Sequence, residues 1–202
     1  MPARIAGRLP GELDEQQAEV YRAITGGARS TGPQLFPLTD QEGRLRGPFN
    51  AMLLSPPVGM AVQEVGAAVR YASVLTDRVR EMAVLVVAAH WNSTFEQEAH
   101  EAVGRAYGLT DSELKALRAG ELPALSDPAE RAALRAALAL TRTGVLHDRE
   151  YYHAVAEWGE RGLFELTSLV GYYALLALQL RVFAGEEPDG SCAPPQTESG
   201  TA

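Results

Sequence analysis

One cysteine in 202 residues removes whole classes of chemistry. Cys192 has no second thiol, so an intramolecular disulfide, a CxxC redox pair and a cysteine-built zinc site are all excluded. Basic residues are in deficit, 18 against 26 acidic, and the net charge of −8 argues against a nucleic-acid backbone as partner. A small anionic substrate remains compatible, because it needs only local positive charge. Continuous apolar segments are short: Met82 to Ala89 is eight residues, and a membrane span takes roughly 20. The N-terminal stretch lacks the apolar region of a signal peptide. No strand-period alternation stands out. These absences predict a cytoplasmic, all-α protein with no membrane and no nucleic-acid partner.

The composition, 46% apolar and 22% charged, is that of an ordinary globular chain with one core. Residues 1–10 read as a flexible arm, 11–184 as a single all-α domain, and 185–202 as a disordered tail by composition. A first helix is predicted over Leu13 to Thr25, stopped by Gly26-Gly27. The Gly- and Pro-rich stretch to Pro48 reads as loop. Ser55-Pro56-Pro57 opens a helix to about Val74, in which Gly59 and Gly66 permit close packing. Further helices are expected from Thr110 to Arg118, from Ser126-Asp127-Pro128 to Thr143, and from His147-Asp148 to Trp158. Gly162 then punctuates before a last apolar helix, Leu163 to Ala184.

Between these lies Thr76 to Leu109, the most informative stretch. Thr76-Asp77 caps a helix whose apolar run predicts burial all round. Asn92 ends it, and a second helix runs from Thr94 to Tyr107 before Gly108. In an antiparallel pair rising about 1.5 Å per residue, Glu81 and His100 come close to the same level, an arrangement suited to acid–base work. Ser93 and Glu96 fit a capping box, which would account for both without any chemistry, and are also candidates for substrate contact. His90 ends the apolar helix where a cation suits the dipole, and Trp91 reads as either pocket wall or buried area. Arg44, Arg46 and Asn50, in the loop GRLRGPFN, offer charge and an amide to an anionic ligand, or are solvated surface groups. His90, Glu96 and His100 also contain a two-histidine, one-carboxylate metal set, provided that they converge.

Arg80-Glu81, the apolar run, His90-Trp91, Phe95-Glu96, His100 and Gly108, with Gly47-Pro48-Phe49-Asn50 before and Val170-Gly171-Tyr172-Tyr173 after, resemble the carboxymuconolactone decarboxylase family. That family lies within the alkylhydroperoxidase D-like superfamily. The resemblance covers about residues 45–182 and implies a helical bundle built around the central hairpin. The peroxidase branch is similar in having a glutamate, then cysteines twelve and fifteen residues on, then a histidine at nineteen. Those positions here are Glu81, Ser93, Glu96 and His100. Neither serine nor glutamate can cycle through a disulfide, so thiol peroxidase chemistry is excluded. The branch without thiols implies a cofactor-free, metal-free decarboxylase assembled as a homotrimer or homohexamer. Its expected acid–base groups are His100 and Glu81 with His90 assisting, and its small anionic substrate meets Asn50, Trp91, Ser93, Glu96, Arg44 and Arg46. Isomerisation, cyclisation or dehydration on the same scaffold, and a non-catalytic binding or oligomerisation module, are the alternatives.

Overall fold

A computed structural model describes residues 4–27, 29 and 35–184; Cys192, the tail from residue 185 and the first three residues of the arm lie outside them. Among the described residues there are eight α-helices and no strand. They are α1 (Glu15–Thr25), α2 (Pro48–Met52), α3 (Pro56–Tyr71), α4 (Asp77–Trp91), α5 (Thr94–Ala106), α6 (Asp111–Arg118), α7 (Pro128–Thr143) and α8 (Asp148–Gln179). A 3₁₀ turn, Pro10–Glu12, precedes α1, and a π turn, Leu180–Ala184, follows α8. The all-α expectation holds.

Helix α4 is the axis. Every residue from Val79 to Ala88 is buried, because α5, α6, α7 and α8 all pack against it. A helix surrounded in this way needs an apolar sequence on every face. Its ends are set locally: the Thr76 hydroxyl accepts from the Val79 amide at 3.3 Å, and Asn92 closes the helix in the left-handed conformation at φ 49°. Short polar Asn tolerates that conformation better than most residues, and it turns the chain directly into α5. Arg78 ties the near end of the bundle together, donating to Glu130 of α7 at 2.7 Å and to the Gly108 carbonyl at 2.7 Å, and pairing with Glu113 of α6.

Three boundaries differ from the sequence reading. Helix α1 starts at Glu15, because Asp14 and Gln17 form a reciprocal capping box. Helix α3 stops at Tyr71, three residues before Val74, because Glu165 of α8 captures the chain beyond it, accepting from the Ser73 hydroxyl at 2.8 Å and the Val74 amide at 2.7 Å. The break in the C-terminal segment falls at Gly159 (φ 67°, ψ 173°). Gly162 lies inside the helix, with Trp158 against it. By length and composition the segment Asp148–Ala184 could cross a membrane, but half of its most apolar window is buried inside the bundle. That is the pattern of a core helix.

Gly66 on α3 has a packing role that bears on the site. A methyl group there would overlap the Tyr172 hydroxyl and the Arg29 guanidinium. Neither can retreat freely, since Tyr172 is buried on α8 and Arg29 donates to the Gln63 side chain at 2.9 Å and the Gln63 carbonyl at 2.8 Å. Gly66→Ala is expected to cost about 1–3 kcal/mol as an overpacking defect, read as a lower midpoint in urea unfolding with unchanged m.

Candidate functional site

The α4–α5 hairpin brings together the two residues that its register predicts. Glu81 Oε2 and His100 Nδ1 lie 2.6 Å apart, with Glu81 0% and His100 4% exposed. A carboxylate can only accept, so His100 donates through Nδ1–H. That fixes the tautomer and leaves Nε2 as the nitrogen with a lone pair. Arg70, in the last turn of α3, faces the other carboxylate oxygen, with Nη2 3.6 Å from Oε1. Its second terminal nitrogen donates to the Tyr173 hydroxyl at 3.1 Å. The Tyr173 ring meets His100 edge-on at 5.1 Å between centroids.

The charge states follow from this packing. Burial alone would raise the Glu81 pKa, but the His100 bond and the Arg70 and Arg80 charges outweigh it and hold the carboxyl below its ordinary range. His100 is pushed below its usual value by burial, which prevails over the pull of Glu81, and Arg70 pushes the same way. Arg70 and Arg80 already offset the buried Glu81 carboxylate, and burial disfavours a further charge on His100 in the resting site. The resting site is therefore Arg70 positive, Glu81 negative and His100 neutral. Tyr173 stays protonated, its pKa raised by burial.

His100 forms part of the wall of a cavity of about 670 Å³. Arg29, Arg70, Glu96, Tyr172 and Tyr173 supply further polar groups, with Tyr71 and Tyr107 also on the lining, and aromatic and aliphatic side chains from α2, α5, α8 and the segment around Leu35 to Leu38 supply the rest. Glu81 stands behind His100 and does not line the cavity. Its place is that of a group that orients the His100 ring.

Of the residues expected to contact substrate, the structure brings only Glu96 to this cavity. Ser93 occupies the N-cap of α5 but makes no side-chain cap bond, so the anticipated capping box does not form, and Ser93 lies in a separate shallow pocket. His90 is exposed and borders a different polar depression with Asn92, Arg118 and Arg142. At the end of a helix whose inner face carries Glu81, it is turned away from His100. The three-residue metal set consequently does not converge. Trp91 packs under the Arg181 guanidinium, 5.3 Å from its ring centre. Asn50 donates to the Ala6 carbonyl at 3.2 Å, tying down the N-terminal arm. Arg44 is occupied by Glu42 at 3.1 Å and Asp40 at 3.3 Å, and Arg46 is exposed outside the cavity.

The arginines at the cavity are instead Arg29 and Arg70, neither singled out from the sequence. Arg70 carried one faint signal, an arginine eleven residues ahead of a buried glutamate. Its position in a last helical turn has an ordinary dipole explanation that conceals it.

Comparison with known proteins agrees with this architecture. Residues 56–139, from α3 through most of α7, match the carboxymuconolactone decarboxylase family. The chain resembles that family over this stretch, 84 of its 202 residues. A comparison with curated proteins returns no match. Among solved structures, the chain is similar to an uncharacterized peroxidase-related protein from Ralstonia eutropha with an alkylhydroperoxidase AhpD core, at 16% identity over 94% of each chain and a TM-score of 0.70. An uncharacterized peroxidase-related protein from Silicibacter is similar at 14% identity, with 91% of this chain and 90% of that one covered and a TM-score of 0.67. The debrominase Bmp8, solved with 2,3,4-tribromopyrrole, aligns at 13% identity over 90% of each chain with a TM-score of 0.66. At such identities the likeness establishes the fold and leaves the reaction to the site. The fold is thus shared with these structures, and the reaction has to be read from the residues around the Glu81–His100 pair.

Proposed function

We propose that the protein is a decarboxylase needing no cofactor, acting by proton transfer on a carboxylated lactone or β-keto acid, with His100 as the acid–base group. The observation that supports it is the buried bond from His100 Nδ1 to Glu81, which leaves a neutral Nε2 on a residue that lines an aromatic-walled cavity. In this mechanism the substrate carboxylate binds together with one proton taken up from solvent, Nε2 holds that proton, and the resulting imidazolium is stabilised by Glu81. The bond to the departing carboxyl carbon breaks, carbon dioxide leaves, and the electron pair stays on the substrate as an enolate. Tyr173, accepting from Arg70, keeps its own O–H to donate to the enolate oxygen. The imidazolium then returns the proton to carbon, which restores neutral His100. No proton or electron is left unaccounted for, and Glu81 only positions and stabilises.

The test is carbon dioxide release and product analysis over a panel of lactone acids and β-keto acids, for wild type and His100→Ala. Loss of general acid–base catalysis is expected to lower kcat by about 10²–10⁴ in a variant that remains folded. Product formed without carbon dioxide would replace decarboxylation by isomerisation or cyclisation at the same pair. Equal turnover in His100→Ala would sink the assignment of His100. The homotrimer or homohexamer implied by the family is proposed with this function.

A further inference from the structure

The size and lining of the cavity say more about the substrate than the reaction class does. A single-ring lactone acid has on the order of a dozen heavy atoms. Even credited with a full water's share of about 30 Å³ for each atom, it would fill roughly 360 Å³, little more than half of the 670 Å³ present. The lining of the space is mainly apolar. Phe36, Phe49, Phe95, Val103 and Leu176 supply much of it, a surface that gains from contact with apolar ligand atoms. Its volume lies within the roughly 300–1,000 Å³ of sites that bury drug-sized ligands.

The walls also have a direction. The polar groups that the proposed chemistry uses, His100, Arg70 and Tyr173, lie together through the contacts already described. From His100 the aromatic surface continues through Phe36, tilted at 6.3 Å, to Phe95, whose ring meets that of Phe36 edge-to-face at 6.4 Å. Phe95 is held in place by Gly47, where a side chain would collide with the ring. Three further lining residues, Leu35, Tyr71 and Tyr107, are 44%, 47% and 45% exposed, large apolar groups left at the open side. Such rings with apolar surface beyond them suit a flat, extended ring system.

We infer that the natural substrate is a multi-ring, largely aromatic acid of upward of about twenty heavy atoms, in place of the small single-ring acid that the family resemblance implies. Its acidic group lies at His100, Arg70 and Tyr173, and its distal rings lie against Phe36, Phe95 and Tyr107. The inference rests on the proposed use of this cavity as the reaction site and deepens it.

Titration calorimetry with three inert acids, benzoate, 2-naphthoate and anthracene-2-carboxylate, tests the size class on wild type and on His100→Ala. Each added ring is expected to tighten binding about tenfold, in both proteins. Ala106→Trp, at an exposed position on the cavity lining, is expected to weaken the three-ring acid at least tenfold and leave benzoate unchanged. Equal affinity for all three acids, or tightest binding of benzoate, overturns the inference from wild type alone, whatever the variant does. The two readings fail separately. A clear size ladder with no carbon dioxide from any panel acid would sink the decarboxylase and keep the size class. Carbon dioxide from single-ring lactones without a ladder would do the converse.

Discussion

Glu81→Gln is expected to lower turnover by about 10³–10⁴ while leaving the protein folded, the largest catalytic effect of any isosteric change in the site. The reason is orientation. The amide introduced by the substitution can place its oxygen toward Arg70 or toward His100. Arg70 carries a permanent positive charge 3.6 Å from the present Oε1 and can only donate, so the amide oxygen turns to it. The amide nitrogen then faces His100 Nδ1 across the present 2.6 Å bond. Nδ1 must accept, the ring proton moves to Nε2, and the base is lost where the substrate needs it. Nitrogen NMR of labelled histidine provides a readout that a merely structural role would not move: Nδ1-protonated in wild type, Nε2-protonated in the variant. Unchanged tautomers with full activity would overturn the assignment of Glu81 as the group that orients the base. Glu81→Ala should instead cost about 3–5 kcal/mol, since it leaves Arg70 and His100 facing a cavity in place of a buried counter-charge.

The register of this pair was open to sequence reasoning because it depends on local rules. A helix of known rise, an Asn-terminated turn and a second helix place residue 100 opposite residue 81 with no knowledge of the rest of the chain. Burial of α4 was equally legible, since a run from Met82 to Ala89 without a polar side chain has no solvent face to offer. The cations were not legible. Arg44 and Arg46 attract attention beside Gly47-Pro48-Phe49-Asn50, yet Arg44 is absorbed by Asp40 and Glu42 within its own turn. Arg70 reaches Glu81 only because α3 packs across α8, a long-range fact that no local pattern encodes. The same holds for His90. Helical phase turns it away from Glu81, and the fully apolar run leaves no amphipathic stripe from which that phase could be read. Gly159 and Gly162 show the limit most simply: two glycines three residues apart are equal as breakers in sequence, and only the packing of Trp158 beside Gly162 decides between them.

Arg70→Met tests the charge balance on which the proposed chemistry depends, and its effect should be strongly dependent on pH. The wild-type side chain is 18% exposed and its partner carboxylate 0%, so its removal strands Glu81 in a nonpolar setting. Because Glu81 keeps its His100 bond, the cost at neutral pH should fall near the lower end of the range for breaking buried pairs, about 3 kcal/mol. In wild type the folded-state pKa of Glu81 is depressed. Its stabilising contribution is therefore present above the unfolded value of about 4.3 and is lost as pH falls through the folded value. In the variant burial acts with less opposition and the folded pKa rises, so this contribution shrinks or reverses. His100 moves in the same sense: Arg70 helps to hold its pKa down, and without it the histidine charges more readily in the fold. Wild type gives up stability as pH falls below about 6.5 because His100 is kept neutral there, and the variant gives up less. Both shifts reduce the difference between the two proteins in acid. The destabilisation by Arg70→Met, measured by urea unfolding, should be full at pH 7, smaller at pH 5 and smallest near pH 3. Activity should follow the same logic, with the acid limb of the variant's kcat/KM profile moved to higher pH because His100 must still be neutral to accept a proton. A destabilisation independent of pH would mean that Arg70 contributes only packing. An unmoved acid limb would mean that a group other than His100 sets it.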